Sequence, residues 1–233
     1  MPLQAILFDH DGTLVDSEPV HFRMWAAVLA RYGVTLSEQQ YVAHYAGVPN
    51  LASAVDMIRR FELDESPAAL ADAKHVVTKE FLLGGAFPLM NGALAAIAEF
   101  RRAGVKLAVV TGAGANGVHA TLRANDLQHH FATVVCGDDV RASKPAPDCY
   151  VLALERLGLR ATDCLAIEDT QHGLQAAHSA GIRCLALPTD MSRHHNFDCA
   201  EAVLGGMPEA VDYVRQLLGA RVDRSSSPTE SVL

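Results

Sequence analysis

The spacing of hydrophobic and polar positions changes along the chain, and these changes predict two kinds of structure. An unbroken apolar segment at residues 5–8 predicts a buried strand. Apolar side chains then recur with helical spacing almost throughout residues 18–83, which predicts helices over 21–32, from the N-cap Ser37 to near Gly47, over 51–61 and over 67–83. Gly33 and Pro67 fit the residue preferences of helix ends.

From residue 87 onwards, short apolar segments alternate with amphipathic ones. They predict strands over 105–110, 133–136, 164–167 and 183–187, and helices over 91–103, 116–125, 148–157, 173–180 and 208–218. This alternation predicts a parallel sheet with helices on both faces. Because the first strand precedes the helical block, that block is predicted to be an insert between the first strand and the rest of the sheet.

The predicted fold class is therefore α/β. Residues 1–15 and 86–220 form a Rossmann-like three-layer core with a parallel sheet, and residues 16–85 form an inserted all-helical cap domain. Hinges are expected near residues 14–16 and at Gly84-Gly85, where the chain passes between the two domains. The Ser-rich residues 221–233 are predicted to be a disordered tail.

Composition narrows the possible partners and compartments. The 233 residues carry a net charge of −8, which argues against nucleic acid or an anionic membrane as a partner. No apolar run is long enough to span a bilayer, and the early first strand leads us to expect no signal peptide. The five cysteines show no CxxC pairing, so we predict reduced thiols in a cytoplasmic protein. We expect a monomer or a small homo-oligomer.

Polar residues follow the predicted central strands at the point where each strand ends. Because the carboxyl ends of parallel strands share one edge of a sheet, we expect these residues to meet in one crevice. Four carboxylates are suited to an oxygen-liganded Mg²⁺, namely Asp9, Asp11, Glu168 and Asp169. A hydroxyl, a backbone N–H and an ammonium are suited to phosphate oxygens, namely those of Thr111, Gly112 and Lys144.

These groups predict phosphoryl transfer at carboxylates. A carboxylate is anionic at neutral pH and can form an aspartyl phosphate once cations offset its repulsion from phosphate. A second carboxylate can protonate the leaving oxygen and then activate water. We assign the nucleophile to Asp9 and the acid/base to Asp11. A purely structural metal site has no use for Thr111 and Lys144 at the same edge.

Four motifs carry a resemblance to a known family. They are DxDGT at residues 9–13, the strand-end Thr111, Lys144 within S-K-P-x-P-D, and E-D-x-x-x-G at residues 168–173. Together they resemble the haloacid dehalogenase-like hydrolase superfamily, in the helical-cap subfamily that includes β-phosphoglucomutase and phosphoglycolate phosphatase. The resemblance implies an aspartyl-phosphate intermediate and Mg²⁺ bound by the Asp9 side chain, the Asp11 carbonyl and Asp169. It also implies that the Lys144-Pro145 bond is a candidate cis peptide.

Within this subfamily, residues 18–25 are similar to the first cap helix of the β-phosphoglucomutase branch. That similarity would place His21 beside the hinge near Asp11, and Asn116 at a phosphate-loop amide position. The mutases carry a cap arginine just after a Gly-Val pair, whereas Gly47-Val48 is followed here by Pro49 and Asn50. The missing arginine would have gripped a second phosphate, so its absence favours a phosphatase in which water accepts the phosphoryl group.

The sequence thus predicts a Mg²⁺-dependent phosphomonoester hydrolase whose substrate is a small phosphorylated metabolite, most simply a sugar phosphate. A β-phosphoglucomutase-type mutase is an alternative, because Lys74 or Lys79 could supply the missing positive charge. A phosphoglycolate phosphatase is another alternative. The GxGxxG segment at residues 112–117 raises an NAD-dependent oxidoreductase as a distant alternative, although it does not mark the first βαβ unit and leaves the carboxylates unexplained. The pairs His129-His130 and His194-His195 are interpreted as surface residues rather than metal ligands.

Overall fold

The computed structural model describes residues 3–219, and within that range one parallel sheet organises the chain. Its strands pair in the order β3-β2-β1-β4-β5-β6. Their bounds are β1 Ala5–Phe8, β2 Lys106–Val110, β3 Thr133–Val135, β4 Cys164–Glu168, β5 Arg183–Ala186 and β6 Ala202–Val203. Strand order reverses between β1 and β4, and in such sheets ligands bind outside the carboxyl ends of the strands at this point.

Helices cover both faces of the sheet. The helices are α1 Glu18–Ala30, α2 Glu38–His44, α3 Asn50–Phe61, α4 Pro67–Gly84, α5 Ala93–Arg102, α6 Ala115–Ala124, α7 Asp148–Leu157, α8 Gln171–Ser179 and α9 Met207–Gly219. Alternate side chains of β1 enter two hydrophobic clusters. Ile6 and Phe8 pack with residues of α5, α6 and α9. Ala5 and Leu7 pack with residues of α7 and α8. The predicted three-layer α/β core is confirmed.

Helices α1–α4, which we call the helical insert, lie between β1 and β2 in the chain and have a hydrophobic cluster of their own. Buried members come from each of the four helices, among them Trp25, Tyr41, Met57 and Leu70. The inserted set of helices is therefore as predicted. The exact domain limits at residues 15/16 and 85/86 stay a prediction.

Two segments connect the insert to the core and are hydrogen-bonded to each other. Val15 forms an antiparallel bridge with Leu89. The Asp16 N–H donates to the Pro88 carbonyl at 2.8 Å, and the Met90 N–H donates to the Leu14 carbonyl at 2.9 Å. The departing and returning chains are thereby held side by side next to the loop that follows β1.

Element ends differ from the predictions by a few residues. Helix α1 begins at Glu18 rather than at residue 21, because Pro19 is well suited to a first helical turn. Helix α8 begins at Gln171, and its N-cap Thr170 accepts a hydrogen bond from the Gly173 N–H. The two-residue strand β6 was not predicted, since so short a segment carries no periodicity. The predicted tail lies outside the described residues.

Candidate active site

The ends of the central strands lie level with one another. Phe8, the last residue of β1, pairs with Val109 on β2 and Ile167 on β4. The next residue, Asp9, donates its N–H to the Ile167 carbonyl at 3.0 Å, so the ladder extends one residue into the loop. Thr111 likewise continues β2 by bonding to the Val135 carbonyl at 2.9 Å. The convergence predicted from the parallel topology is therefore present.

The ammonium of Lys144 joins three of these segments. Its Nζ lies 2.6 Å from Asp9 Oδ1, 2.6 Å from Glu168 Oε1 and 2.8 Å from the Val110 carbonyl oxygen. Burial would lower the pKa of Lys144, but the carboxylates of Asp9 and Glu168 outweigh burial and raise it well above its usual value. An ammonium has three N–H donors, so these three acceptors use all of them. The peptide bond from Lys144 to Pro145 is cis, as expected.

Three carboxylates crowd around this lysine. Ligand oxygens of Asp9, Glu168 and Asp169 lie within 4.8 Å of one another, and all three residues are buried. Burial raises the pKa of Glu168 to about 7, and burial with the charges of Asp9 and Glu168 raises the pKa of Asp169 well above its usual value. One buried ammonium cannot neutralise three buried acids, so the cluster requires a further cation or protons.

The cluster fits a hard divalent cation. Among the described residues, Asp169 Oδ1 and Glu168 Oε2 are buried and have no hydrogen-bond partner. Such orphan oxygens are costly unless something ligates them. An all-oxygen carboxylate set is what Mg²⁺ prefers. Of the four predicted metal carboxylates the structure brings these three together. The Asp11 side chain lies outside the group.

Two glycines make room for the carboxylates. A Cβ on Gly12 would lie 2.1 Å from Asp169 Oδ2, and Gly12 also has a φ of +77°. A Cβ on Gly173 would lie 1.8 Å from Glu168 Oε2. No side chain can occupy either position without moving an acid. The glycines of the DxDGT and E-D-x-x-x-G motifs are therefore part of the site's geometry.

Asp11 has a different environment from Asp9. Its Oδ2 lies 3.2 Å from Nδ1 of the buried His10. Burial would raise the pKa of Asp11, but the interaction with His10 holds it below its usual range. An ionised Asp11 is ready to accept a proton. To act first as an acid it must take up a proton when an anionic phosphate binds nearby and raises its pKa.

The loop after β2 offers donors at the same edge. Thr111 is buried, and its Oγ1 accepts a hydrogen bond from the Ala113 N–H at 3.0 Å, which leaves the hydroxyl proton for another acceptor. Gly112 is exposed, and a Cβ there would lie 2.7 Å from Ser143 Oγ. This close approach sets the Gly112 backbone beside the segment that carries Lys144. Asn116 is exposed on the first turn of α6.

The helical insert contributes a second group of buried polar residues. Lys74 on α4 is 3% exposed, and its Nζ lies 3.0 Å from Nδ1 of His21 on α1. Burial lowers the pKa of Lys74 to about 8, so it remains mostly charged at neutral pH. Burial and the charge of Lys74 lower the pKa of His21 to about 4. The charge of Asp11 is close enough to influence the pKa values of both Lys74 and His21, which places these two residues near the catalytic edge.

Glu18 joins this group and was not among the predicted site residues. Its carboxylate accepts hydrogen bonds from Tyr41 Oη at 2.5 Å and from the Gly47 N–H at 3.0 Å. Burial raises its pKa. Its place within residues 18–25, the predicted start of the first cap helix, did not mark it as a site residue, because Glu at the start of a helix is common for capping reasons. Asn50, in contrast, is exposed at the start of α3.

The glycine-rich segment does not lie at the point where strand order reverses. It follows β2, whereas the β1/β4 position carries Asp9 and Asp169. Asp138 Oδ2 accepts a hydrogen bond from the Ala115 N–H at 2.8 Å, at the first residue of α6. A carboxylate at that helix N-terminus occupies the place that a pyrophosphate would take. The surface interpretation of His194 is consistent with its exposure.

The fold and the site define a Rossmann-like α/β protein with a carboxylate–lysine centre at the carboxyl edge of its sheet. Residues 6–187 match the family model described as haloacid dehalogenase-like hydrolase. The chain belongs to this family, and the predicted family resemblance is confirmed.

Similar proteins match three quarters or more of the chain. Protein CbbY of Cereibacter sphaeroides is 33% identical over 215 residues, which cover 89% of this chain and 94% of that protein. Fructose-1-phosphate phosphatase YqaB of Escherichia coli is 35% identical over 178 residues, covering 76% of this chain and 93% of that protein. The crystal structure of CbbY from Rhodobacter sphaeroides in complex with phosphate has a TM-score of 0.77 at 31% identity, and covers 89% of this chain and 96% of that one.

Proposed function

We propose that this protein is a Mg²⁺-dependent phosphatase of small sugar phosphates that works through an aspartyl phosphate on Asp9. The observation that carries the proposal is the convergence of Lys144 on Asp9 and Glu168, with Asp169 in the same carboxylate group. Two similar proteins support a sugar-phosphate substrate. One is named fructose-1-phosphate phosphatase, and the other is a CbbY variant whose structure is in complex with xylulose-(1,5)bisphosphate.

The first half-reaction forms a bond between Asp9 and phosphorus. A carboxylate oxygen of Asp9 attacks, the bond from phosphorus to the sugar oxygen breaks, and Asp11 gives its proton to the leaving oxygen. Thr111, the Gly112 N–H and Lys144 bind the phosphoryl oxygens. Asp9, Asp169 and the Asp11 carbonyl, together with the neighbouring Glu168, would hold Mg²⁺, which would supply positive charge to lower the repulsion between carboxylate and phosphate.

The second half-reaction returns the enzyme to its starting state. Asp11, now ionised, takes a proton from a water molecule that attacks the aspartyl phosphate. Inorganic phosphate leaves and the Asp9 carboxylate is regenerated. The lowered pKa of Asp11 suits this step, because an ionised carboxylate is the form that accepts a proton. The helical insert excludes bulk water while the first transfer takes place.

The helical insert supplies the groups that recognise the sugar. Glu18 offers carboxylate oxygens to hydroxyl groups, and its position is fixed by Tyr41 and by the Gly47 N–H. Lys74 offers a buried ammonium whose only hydrogen-bond partner among the described side chains is His21. A neutral His21 accepts from Lys74 and so directs that ammonium. A small molecule that carries both hydroxyls and an anionic group would match the Glu18 carboxylate and the Lys74 ammonium.

A mutase acting on sugar phosphates is the second candidate. The observation that favours it is Lys74, a buried cation of the insert that is able to hold a second phosphate in place of the absent arginine after Val48. The two functions differ in the acceptor of the phosphoryl group, which is water in one and a sugar hydroxyl in the other. Phosphoglycolate as substrate, the cytoplasmic location and the oligomeric state stay predictions.

A panel of phosphomonoesters with Mg²⁺ tests the proposal. Hexose 1-phosphates, hexose 6-phosphates and phosphoglycolate are compared by release of inorganic phosphate, for the wild type and for Asp9→Asn. Asp212→Asn on the exposed surface of α9 is the matched control. We expect release from sugar phosphates that requires Mg²⁺ and Asp9 but not Asp212. Absence of release from every compound would refute the phosphatase, and conversion of β-glucose 1-phosphate to glucose 6-phosphate would establish the mutase.

A further inference from the structure

We propose that Tyr150 is a positioning residue whose hydroxyl holds Glu168 so that Lys144 can turn from this carboxylate to the phosphate of the substrate. This inference rests on the proposed function and deepens it. It assigns to the site a side chain from α7 that belongs to none of the four sequence motifs.

Tyr150 lies beneath the carboxylate–lysine centre. Its side chain is fully buried, and its Oη donates to Glu168 Oε1 at 2.5 Å. The Nζ of Lys144 lies 5.2 Å from the centre of the Tyr150 ring. Glu168 Oε1 therefore accepts from two donors at once, Lys144 Nζ and Tyr150 Oη. The ring of Tyr150 thus lies against Lys144 while its hydroxyl binds Glu168, and these two residues form an ion pair.

Lys144 has no spare donor for a ligand in this arrangement. Its three N–H groups are taken up by Asp9, Glu168 and the Val110 carbonyl. To bind a phosphoryl oxygen, Lys144 must give up or share one of these bonds. The Val110 carbonyl is fixed at the end of β2, so we expect the ammonium to keep this bond and to loosen its hold on a carboxylate.

Releasing Glu168 would ordinarily be unfavourable. Its side chain is wholly buried, and Oε2 has no hydrogen-bond partner among the described residues. Without Tyr150, a lysine that turned to the substrate would leave Oε1 unsatisfied as well, and a buried carboxylate with no donor is strongly destabilised. The hydroxyl of Tyr150 remains in place when Lys144 moves, so the phosphate-bound state keeps one donor on Glu168.

A purely structural role for Tyr150 would not need the hydroxyl. Phenylalanine would fill the same space and would keep the ring beneath Lys144. The comparison of Tyr150→Phe with wild type therefore isolates the hydroxyl. Tyr213→Phe is a matched control. Tyr213 lies on α9, away from the catalytic edge, and its Oη also donates to a carboxylate, Glu201 Oε1, at 2.7 Å.

The test measures the affinity for inorganic phosphate in the presence of Mg²⁺ by calorimetry, together with kcat and KM for a sugar phosphate. We expect Tyr150→Phe to weaken phosphate binding about tenfold and to raise KM similarly, with a smaller change in kcat. We expect Tyr213→Phe to match the wild type. The rise in melting temperature on adding phosphate gives the same comparison even if Tyr150→Phe lowers stability.

Repeating the comparison in a Glu168→Gln variant tests whether Tyr150 acts through Glu168. In Glu168→Gln the buried group is neutral and is less costly to leave without a donor, so adding Tyr150→Phe should weaken phosphate binding clearly less than it does in the wild-type background. An unchanged phosphate affinity in Tyr150→Phe overturns the inference, and so does an equal loss in both backgrounds. If the wild type neither binds phosphate nor hydrolyses a phosphomonoester, it is the proposed function that fails.

Discussion

The charge balance around Lys144 makes a quantitative prediction for Lys144→Met. Methionine keeps most of the side-chain volume but removes the ammonium that lies 2.6 Å from both Asp9 and Glu168. Removing one partner of a buried ion pair destabilises a protein by about 3–5 kcal/mol, because the other charge is left buried and unpaired. That is a large part of the roughly 5–15 kcal/mol by which a native domain is stable.

The assay is urea unfolding in EDTA, followed by circular dichroism at pH 7.5. We expect Lys144→Met to lower the free energy of unfolding by about 3–5 kcal/mol, and the exposed control Lys106→Met to change it by less than about 0.5 kcal/mol. Adding Glu168→Gln to Lys144→Met should restore part of the loss, since one buried charge is then gone. Mg²⁺ should also restore part of it. A Lys144→Met protein within about 1 kcal/mol of wild type in EDTA would refute this electrostatic account.

Four further predictions concern the same site. Asp9→Asn should fold like the wild type but retain less than about a hundredth of its kcat, and a higher residual rate in a phosphate-release assay would contradict the assignment of the nucleophile. Gly173→Ala should lower the free energy of unfolding by about 1–3 kcal/mol and reduce Mg²⁺ affinity, because its Cβ would lie 1.8 Å from Glu168 Oε2; Gly219→Ala, with open space around it, is the control. Burial raises the folded-state pKa of Glu168 to about 7, so between about pH 4.5 and about pH 7 the folded protein holds a proton that the unfolded chain has lost. In EDTA, the stability that this group contributes is therefore full below about pH 4.5 and is lost as the pH rises to about 7. Urea titrations of Glu168→Gln should show a flatter pH dependence than those of the wild type. Lys74→Met should raise KM for sugar phosphates about tenfold, whereas the exposed Lys79→Met should leave KM unchanged in the same assay.

The catalytic edge was predictable from sequence because its residues are tied to strand ends. An apolar run predicts each buried strand, and a polar residue directly after the run must lie at the carboxyl edge of a parallel sheet. Asp9, Thr111 and Asp169 could be placed in this way without coordinates. The family motifs identified Lys144, although it lies in a loop well after β3.

Residues of the helical insert were harder to place. A helical pattern shows which face of α1 or α4 is apolar, but not which neighbour a polar residue on that face will meet. His21 was predicted near Asp11 from family resemblance, whereas its bond with Lys74 depends on how α4 packs against α1. Asn50 was named because it lies where the mutases carry an arginine. Its side chain is exposed in the structure, and this exposure does not by itself indicate a role in binding.

The sequence by itself determined the α/β core, the insertion of four helices after the first strand, and the set of carboxylates, hydroxyl and ammonium at one edge of the sheet. Those features depend on local periodicity and on strand ends, which are properties of short segments. Only the tertiary structure decided how these groups share protons and donors. Burial raises the pKa of Glu168, whereas the interaction of Asp11 with His10 outweighs burial and lowers the pKa of Asp11. Packing of α7 brought Tyr150 onto Glu168, more than a dozen residues away in the chain, and long-range contacts of this kind have no signature in periodicity.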